Sequence, residues 1–428
     1  MPEIRFKGFV GDWRECEYSK TFTNISNNTL SRAELNYNFG LAKNIHYGDV
    51  LIKFGELLNI EKEEIPFITN NTLVNKFKSS SKLQNGDVII ADAAEDKTVG
   101  KCTELINVGE EIIFSGLHTI TIRPILSFAS KYLGYYMNSP AYHNQLLPLM
   151  QGTKVLSISK SAIQNTTISS PTHSLEQTKI GNYFQQLDTL IILHQQKYDK
   201  LLNIKKAMLE KMFPKNGVDV PEIRFKGFSG EWEKRELGGI STYIKGFAFK
   251  SVDYKTAGIR IIRVSDLSKD SVSESIDKIY LNNNKKKQFL NYIINYGDIV
   301  ITTVGSKAEL KESAVGRPII FTKNKGYILN QNLVKITPIP NYDSQFIYNQ
   351  LINEKYAKYI EDIQRGNANQ ANITINDLWK YSLQCPDFVE QTKIGNLFKS
   401  LDNLLTLHQT KLAKLKNIKK ACLEKMFV

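Results

Sequence analysis

Apolar residues recur at alternating steps of four and three along two stretches of this chain. In the first stretch Ile180, Phe184, Leu187, Ile191, His194, Tyr198, Leu201, Met208 and Met212 fall on one face. In the second, Ile394, Phe398, Leu401, Leu405, His408, Leu412, Leu415, Cys422 and Met426 do the same. That spacing predicts two long helices, each carrying a coiled-coil seam. Lys205 and Lys419 interrupt the seams at matching places, and a second row (Leu190, Leu193, Ile204, Leu209; Leu404, Leu407, Ile418, Leu423) widens each apolar face. The predicted helices cover residues 175–216 and 389–428. Pro171, Pro214 and Pro386 lie at their borders, where proline stops a helix or keeps the preceding residue out of one, and Lys215-Asn216-Gly217 reads as a stop and linker. A helix of about 37 residues is roughly 55 Å long at 1.5 Å per residue, more than one turn of DNA at roughly 34–36 Å.

The stretches 1–174 and 217–388 have a different texture. Short β-rich runs follow Gly-Asp pairs at Tyr47–Ile52, Asn85–Ile90 and Tyr296–Ile301, and each predicts a strand entered from a turn. His118–Arg123 and Asn332–Ile336 read as further strands, Ala129–Met137 and Tyr342–Gln364 as helices. The expected class is therefore α/β, with two mixed α/β domains alternating with the two helices. The expected boundaries are 1–174, 175–216, 217–388 and 389–428.

The chain is also one unit written twice. Leu175–Phe213 and Val389–Phe427 are identical at 27 of 39 positions, and Pro2–Trp13 and Pro221–Trp232 at 10 of 12. Between these matched segments the halves hardly agree. Weak equivalences survive, with Gly86-Asp87-Val88-Ile89 against Gly297-Asp298-Ile299-Val300, and Gly152 before Ile158 against Gly366 before Ile373. A repeated frame around two divergent inserts points to two readers of different things held in a fixed relation.

Composition narrows the classes. At 428 residues two to four domains are expected. No apolar run approaches a membrane span, and the opening MPEIRFKGF has no apolar signal core, so a cytoplasmic location is the default. Cys16, Cys102, Cys385 and Cys422 form no CxxC pair, which argues against a zinc site or a disulfide frame. Net charge is +13, and the two helical segments, with 15 Lys against 7 acids, hold +8 of it. A basic excess suits a polyanionic partner, most simply nucleic acid. No phosphate-binding GxxxxGK[ST], HExxH or Gly-rich dinucleotide cradle occurs, and there is no Asn-Pro-Pro-aromatic or Asp-Pro-Pro-aromatic segment. His194 and His408 lie on the apolar seams and read as packed core histidines. A two-domain chain without a catalytic constellation reads as a recognition or scaffold component.

The arrangement resembles the specificity subunit of type I restriction-modification enzymes. The residues that carry the resemblance are Glu176-Gln177-Thr178-Lys179-Ile180-Gly181 and Glu390-Gln391-Thr392-Lys393-Ile394-Gly395, each opening a long helix. With them go the Pro-Glu-Ile-Arg-Phe starts at Pro2 and Pro221, followed by Trp13 and Trp232, and the run from Gly366 to Ile373. Insert one departs from the pattern, with Gly152-Thr153-Lys154 in place of a Gln/Asn-rich run. The resemblance implies that each insert is a target recognition domain reading one half of a split, asymmetric site in double-stranded DNA. It implies that the helices form an antiparallel coiled coil setting the gap between half-sites, with a pseudo-twofold internal repeat. It further implies partners: two methyltransferase subunits, and restriction/translocase subunits. S-adenosylmethionine, ATP and Mg2+ would belong to those partners and no cofactor to this chain, which would direct adenine methylation and restriction without catalysing either. The rival class is a two-domain coiled-coil scaffold that reads no DNA.

Base readout needs Arg for guanine and Asn or Gln for adenine, while Lys and backbone amides position phosphates. The candidates in insert one are Arg32, Lys53, Lys76, Lys78, Lys82, Lys97, Lys101 and Lys154. In insert two they are Lys245, Phe247, Lys250, Arg260, Arg263, Lys307, Arg365, Asn367, Asn369 and Gln370, with the tract Lys285-Lys286-Lys287 as a phosphate contact.

Overall fold

The computed structural model describes the whole chain except residues 216, 269–270, 274–276, 308–314 and 368–369. It divides into two compact units, 1–195 with 410–428 and 196–409. The division falls inside both long helices, Ser174–Lys211 and Phe388–Lys425. Each unit thus holds one insert, the first half of one helix and the second half of the other.

In the first unit a five-stranded sheet runs in the order Phe22–Ile25, Thr119–Pro124, Val88–Ala91, Cys102–Ile106, Leu57–Asn59. A four-stranded sheet, Ile113–Ser115, Lys43–Ile45, Phe67–Ile68 and Leu35–Asn36, is built from strands that alternate with these along the chain. The central strand Val88–Ala91 is buried at every residue, which is why it reads as a continuous apolar run rather than an alternating one. Around the helix Tyr132–Asn138 gathers an aromatic core of Tyr132, Tyr135, Tyr136, Tyr142, Phe184 and Phe427.

The second unit repeats the plan. Ser241–Lys245, Leu333–Pro338, Ile299–Thr302 and Pro318–Ile320 pair in the same order as the first four strands of the five-stranded sheet. Gly86 and Gly297 open equivalent strands at φ +83° and +84°, and their N–H groups donate at 2.8 Å to Leu105 and Phe321. Gly152 and Gly366 match as well, at φ +114° and +113°, each so close to the facing backbone that a Cβ would clash. The two inserts share a fold although their sequences diverge.

Both long helices end before the proline or chain end, at Lys211 and Lys425, a few residues short of the expected limits. Two further expectations are corrected. Tyr47–Ile52 is a helical turn and not a strand, because the His46 ring accepts the Gly48 N–H as an N-cap and Arg32 holds Asp49. The predicted helix over 342–364 is two helices, Ser344–Leu351 and Glu354–Ile363, because the Asn353 side chain accepts the Tyr356 N–H and starts a new one.

Candidate nucleic-acid interface

The frame comes first, since it positions everything else. In the first unit Arg5 donates two charge-assisted bonds to the fully buried Glu176, at 2.7 and 2.9 Å, and the Ile4 N–H donates to the Lys425 carbonyl at 2.9 Å. In the second unit Arg224 holds the buried Glu390 at 2.8 and 2.7 Å, and Ile223 donates to Lys211 at 2.9 Å. The repeated Pro-Glu-Ile-Arg-Phe segment is therefore a clasp joining the start of one long helix to the end of the other. No candidate set drawn from charge and periodicity included these residues. Their repetition in both copies was the available signal.

The seams behave alike in the two units. Ile180, Phe184 and Leu187 are buried, as are their counterparts Ile394, Phe398 and Leu401, while Ile191, His194, Leu201, Leu405, His408 and Leu415 are half-buried. In the first unit Phe427 stacks on Phe184 at 5.6 Å, and the Tyr183 hydroxyl meets the Cys422 thiol at 3.6 Å. In the second, Phe213 meets Phe398 at 5.9 Å. Residue numbers rise on one helix as they fall on the other, so the segments within each unit run antiparallel.

The lysines that break the apolar stripes are paired. Lys419 lies 2.6 Å from Asp188 and 2.7 Å from Glu56, and the Tyr135 hydroxyl donates to Asp188 at 2.7 Å. Burial pushes the Lys419 ammonium down, but Glu56 and Asp188 together push it up further, so it stays charged. Asp188 is pushed up by burial first and by Glu56 second, as expected where two carboxylates share one cation. In the second unit Lys205 pairs with Asp402.

Insert one holds its candidate residues in different ways. Arg32 is pinned to Asp49 at 2.6 Å, and Lys53 donates to the Glu64 carbonyl at 2.5 Å while lying 5.1 Å over the Tyr37 ring. Lys101 faces inward and donates to the Leu51 and Phe54 carbonyls at 2.8 and 3.0 Å, and burial pulls its ammonium below the usual range. Lys101 thus serves the end of a local turn. Lys76, Lys78, Lys82, Lys97 and Lys154 are exposed.

In insert two, Arg263 is bonded to Asp266 at 3.0 and 3.1 Å and donates to the Asp277 carbonyl at 2.6 Å, and Lys285 is paired with Asp253 at 2.7 Å. Lys245 and Lys250 flank Phe247, which packs edge-on against Phe249, Phe289 and Tyr292 with ring centres 4.9–5.5 Å apart. All three, with Lys286, Lys287, Arg365 and Gln370, are exposed, and Lys307 is half-buried. Arg365 meets Asp377 at 2.9 Å. Arg365–Asn367 and Gln370–Asn372 form a hairpin that continues onto Val304–Gly305. Asn369 lies outside the described residues. Arg260 is buried, bonds the Ser273 carbonyl at 2.5 Å and lies 5.4 Å over Tyr327. The structure brings Arg260 and Lys286 together, and adds Lys278 and Lys325, which sequence reasoning missed because they are far apart along the chain.

Among the described residues no group of three or more His, Cys, Asp or Glu could hold a metal ion, and no helix is long and apolar enough to cross a membrane. The two units thus repeat one α/β domain clasped onto a pair of helix segments. The chain belongs to the family of type I restriction modification DNA specificity domains, which matches residues 44–203 and 229–417. Among its relatives is the type I restriction enzyme MjaVIII specificity subunit of Methanocaldococcus jannaschii, 22% identical over 282 residues, 63% of each chain. The type I restriction enzyme EcoAI specificity subunit of Escherichia coli is 26% identical over 179 residues, 40% of this chain and 28% of that one. The chain thus matches less than two thirds of the length of these relatives. The crystal structure of a type I restriction-modification system S subunit from M. genitalium superposes over 100% of this chain and 99% of that one, with a TM-score of 0.63 at 14% identity, which shows a shared fold.

Proposed function

We propose that this chain is the sequence-reading subunit of a type I restriction-modification complex, with each insert reading one half of a bipartite, asymmetric site in double-stranded DNA. The observation that carries this reading is the duplicated frame. The Arg5–Glu176 and Arg224–Glu390 clasps have the same geometry, while the inserts they hold share strand order but not surface residues. A frame kept twice around two different surfaces suits two half-sites of different sequence.

On this reading the helices set the gap between half-sites, and two methyltransferase subunits dock on the repeated frame. Support for a partner taken twice is the exposed apolar row that occurs at matching positions, Leu190 and Leu193 in one unit and Leu404 and Leu407 in the other. S-adenosylmethionine, ATP and Mg2+ act on the methyltransferase and nuclease subunits, and this chain directs adenine methylation without catalysing it. The test is selection of random-sequence duplexes by the chain with its methyltransferase partner, followed by sequencing of the bound fraction. A split motif with a fixed gap is expected. Equal recovery of all sequences would replace this reading with the coiled-coil scaffold.

A further inference from the structure

Each insert turns one sharp corner before a central strand. Thr119–Pro124 in the first unit and Leu333–Pro338 in the second are entered from His118 and Asn332, both left-handed, at φ +55° and +67°. Few residues other than glycine take that conformation, and His and Asn are among those that do. The surrounding backbone is the same in both units. The Asp92 N–H donates to the His118 carbonyl at 3.1 Å, and the Thr303 N–H to the Asn332 carbonyl at 2.8 Å. The Asp92 and Thr303 carbonyls in turn accept the N–H groups of Ile158 and Ile373, at 2.8 and 3.0 Å. The side chains on this shared backbone differ. Leu117, His118 and Asp92 stand where Gln331, Asn332 and Thr303 stand in the other copy. A corner whose backbone is kept while its side chains are exchanged suits a reader of different bases.

In insert one the corner holds a fixed ring. The His118 side chain is 50% exposed, and its Nδ1 lies 3.2 Å from Asp92 Oδ1. Burial raises the Asp92 carboxyl, while His118 and Lys160 draw it down. A carboxylate only accepts, so the Nδ1 proton lies between the two groups, and Nε2 is left as an acceptor in the neutral ring. Tyr47 meets the His118 ring edge-on at 5.2 Å. Beside them the Asn27 amide donates to the Gly116 carbonyl at 3.2 Å, and the Lys160 ammonium donates to the Asn27 oxygen at 3.1 Å. In insert two Gln331 and Asn332 are exposed, and the Gln331 N–H donates to the Phe247 carbonyl at 2.9 Å. Val304, next to Thr303, pairs with Asn372 of the hairpin that carries Arg365 and Gln370. That corner thus adjoins a hairpin whose side chains are of base-reading type.

We propose that these corners read bases: His118, positioned by Asp92, in the first half-site, and Gln331 with Asn332 in the second. Side-chain amides offer adenine a paired donor and acceptor. The His118 Nε2 accepts from an exocyclic amino group, N4 of cytosine or N6 of adenine. This inference rests on the DNA-reading function proposed above and names residues that perform it.

The test is selection of random-sequence duplexes by the full chain with its methyltransferase partner. It compares the wild type with His118→Gly, and with Gln331→Ala combined with Asn332→Gly. Glycine accepts the left-handed backbone, so each change removes a side chain and keeps the corner. His118→Gly is expected to reduce the preference at one base pair of the first half-site by about five- to tenfold, the lower part of the range for a base contact. The second half-site and the gap should stay unchanged. The insert-two variant should lose preference in the second half-site alone. Asp92→Ala should lose the same preference as His118→Gly, and combining the two should lose nothing more. Asp92→Asn, whose amide oxygen still accepts from Nδ1, should retain it. A uniform loss of affinity with an unchanged base ranking would assign the corners to phosphate and overturn base reading. An unchanged base ranking with a weakened hold on the methyltransferase would overturn it too, and make the corners a protein contact. Variants that match a wild type selecting its site would overturn this proposal alone. A wild type that selects no sequence would overturn the DNA-reading function and the proposal with it.

Discussion

If the chain reads an asymmetric site as proposed, truncation after Asn216 should turn it into a symmetric reader. The cut removes the segment 410–428 that completes the first unit. With it go Leu412, Cys422, Met426 and Phe427, all buried, and the facing Ile180, Phe184 and Leu187 lose their cover. At about 1.5–3 kcal/mol per buried apolar side chain, these seven groups amount to an upper bound of roughly 10–20 kcal/mol. A whole domain is stable by only about 5–15 kcal/mol, so a folded monomer is not sustainable. Asp188 and Glu56 would also lose Lys419, and because all three are only partly buried the loss costs at most about 3–5 kcal/mol. A second copy of the fragment can repair every loss. By sequence equivalence Phe213 replaces Phe427, Met212 replaces Met426, Met208 replaces Cys422, and Lys205 replaces Lys419 opposite Asp188. The pairing is the same from both sides, so the dimer is closed and isologous. Light scattering should give twice the fragment mass. With methyltransferase partners, methylation mapping should show a palindrome of the first half-site. Asp188→Lys in the fragment should abolish the dimer by setting a second ammonium group against Lys205 of the other copy, and adding Lys205→Asp should restore it. A soluble, folded monomer, or a dimer that still marks the asymmetric site, would refute the reasoning.

Other outcomes follow from particular contacts. Four residues inserted near Lys200 add about 6 Å of rise and roughly 40° of rotation, so the gap in the selected site should lengthen while the half-site bases stay the same; an unchanged gap at full affinity means the helices are not the ruler. Lys419→Met strands two carboxylates and should lower the thermal midpoint more than Lys205→Met, which strands one; equal shifts would show that Glu56 takes no part. Burial pushes the Glu104 carboxyl up to about 7 from 4.5, against the N–H groups of Gly134 and Lys131 that lower it. Because the folded state holds this proton more tightly than the unfolded state, stability should fall by about 3 kcal/mol as pH rises from roughly 4.5 to 7. Glu104→Gln should remove that slope but lower stability at acid pH, because its amide nitrogen cannot accept one of the two backbone N–H groups; a denaturation midpoint that still falls between roughly pH 4.5 and 7 in this variant would contradict it.

Much of this was legible in the sequence. Helical seams and strand runs are local patterns, since the 3.6 and 2.0 periods of backbone geometry sort apolar from polar residues wherever a core exists. Duplication added the frame, because two copies of one segment must make the same contacts. Tyr47–Ile52 was misread because its helix depends on the His46 cap and on Arg32, a partner 17 residues from Asp49. The role of Pro-Glu-Ile-Arg-Phe was hidden for the same reason, since Arg5 and Glu176 are 171 residues apart. The candidate interface divided only on folding. Lys101, Arg263 and Lys285 direct their charge to neighbouring carbonyls and carboxylates, whereas Lys278, Lys286 and Lys325, scattered over 48 positions, share one cavity. The sequence by itself determined the periodicity, the repeat and the total charge, which are sums over local choices. Which charged residues meet one another, a carbonyl or a shared cavity was settled only by folding, because it depends on distances between residues that no spacing along the chain encodes.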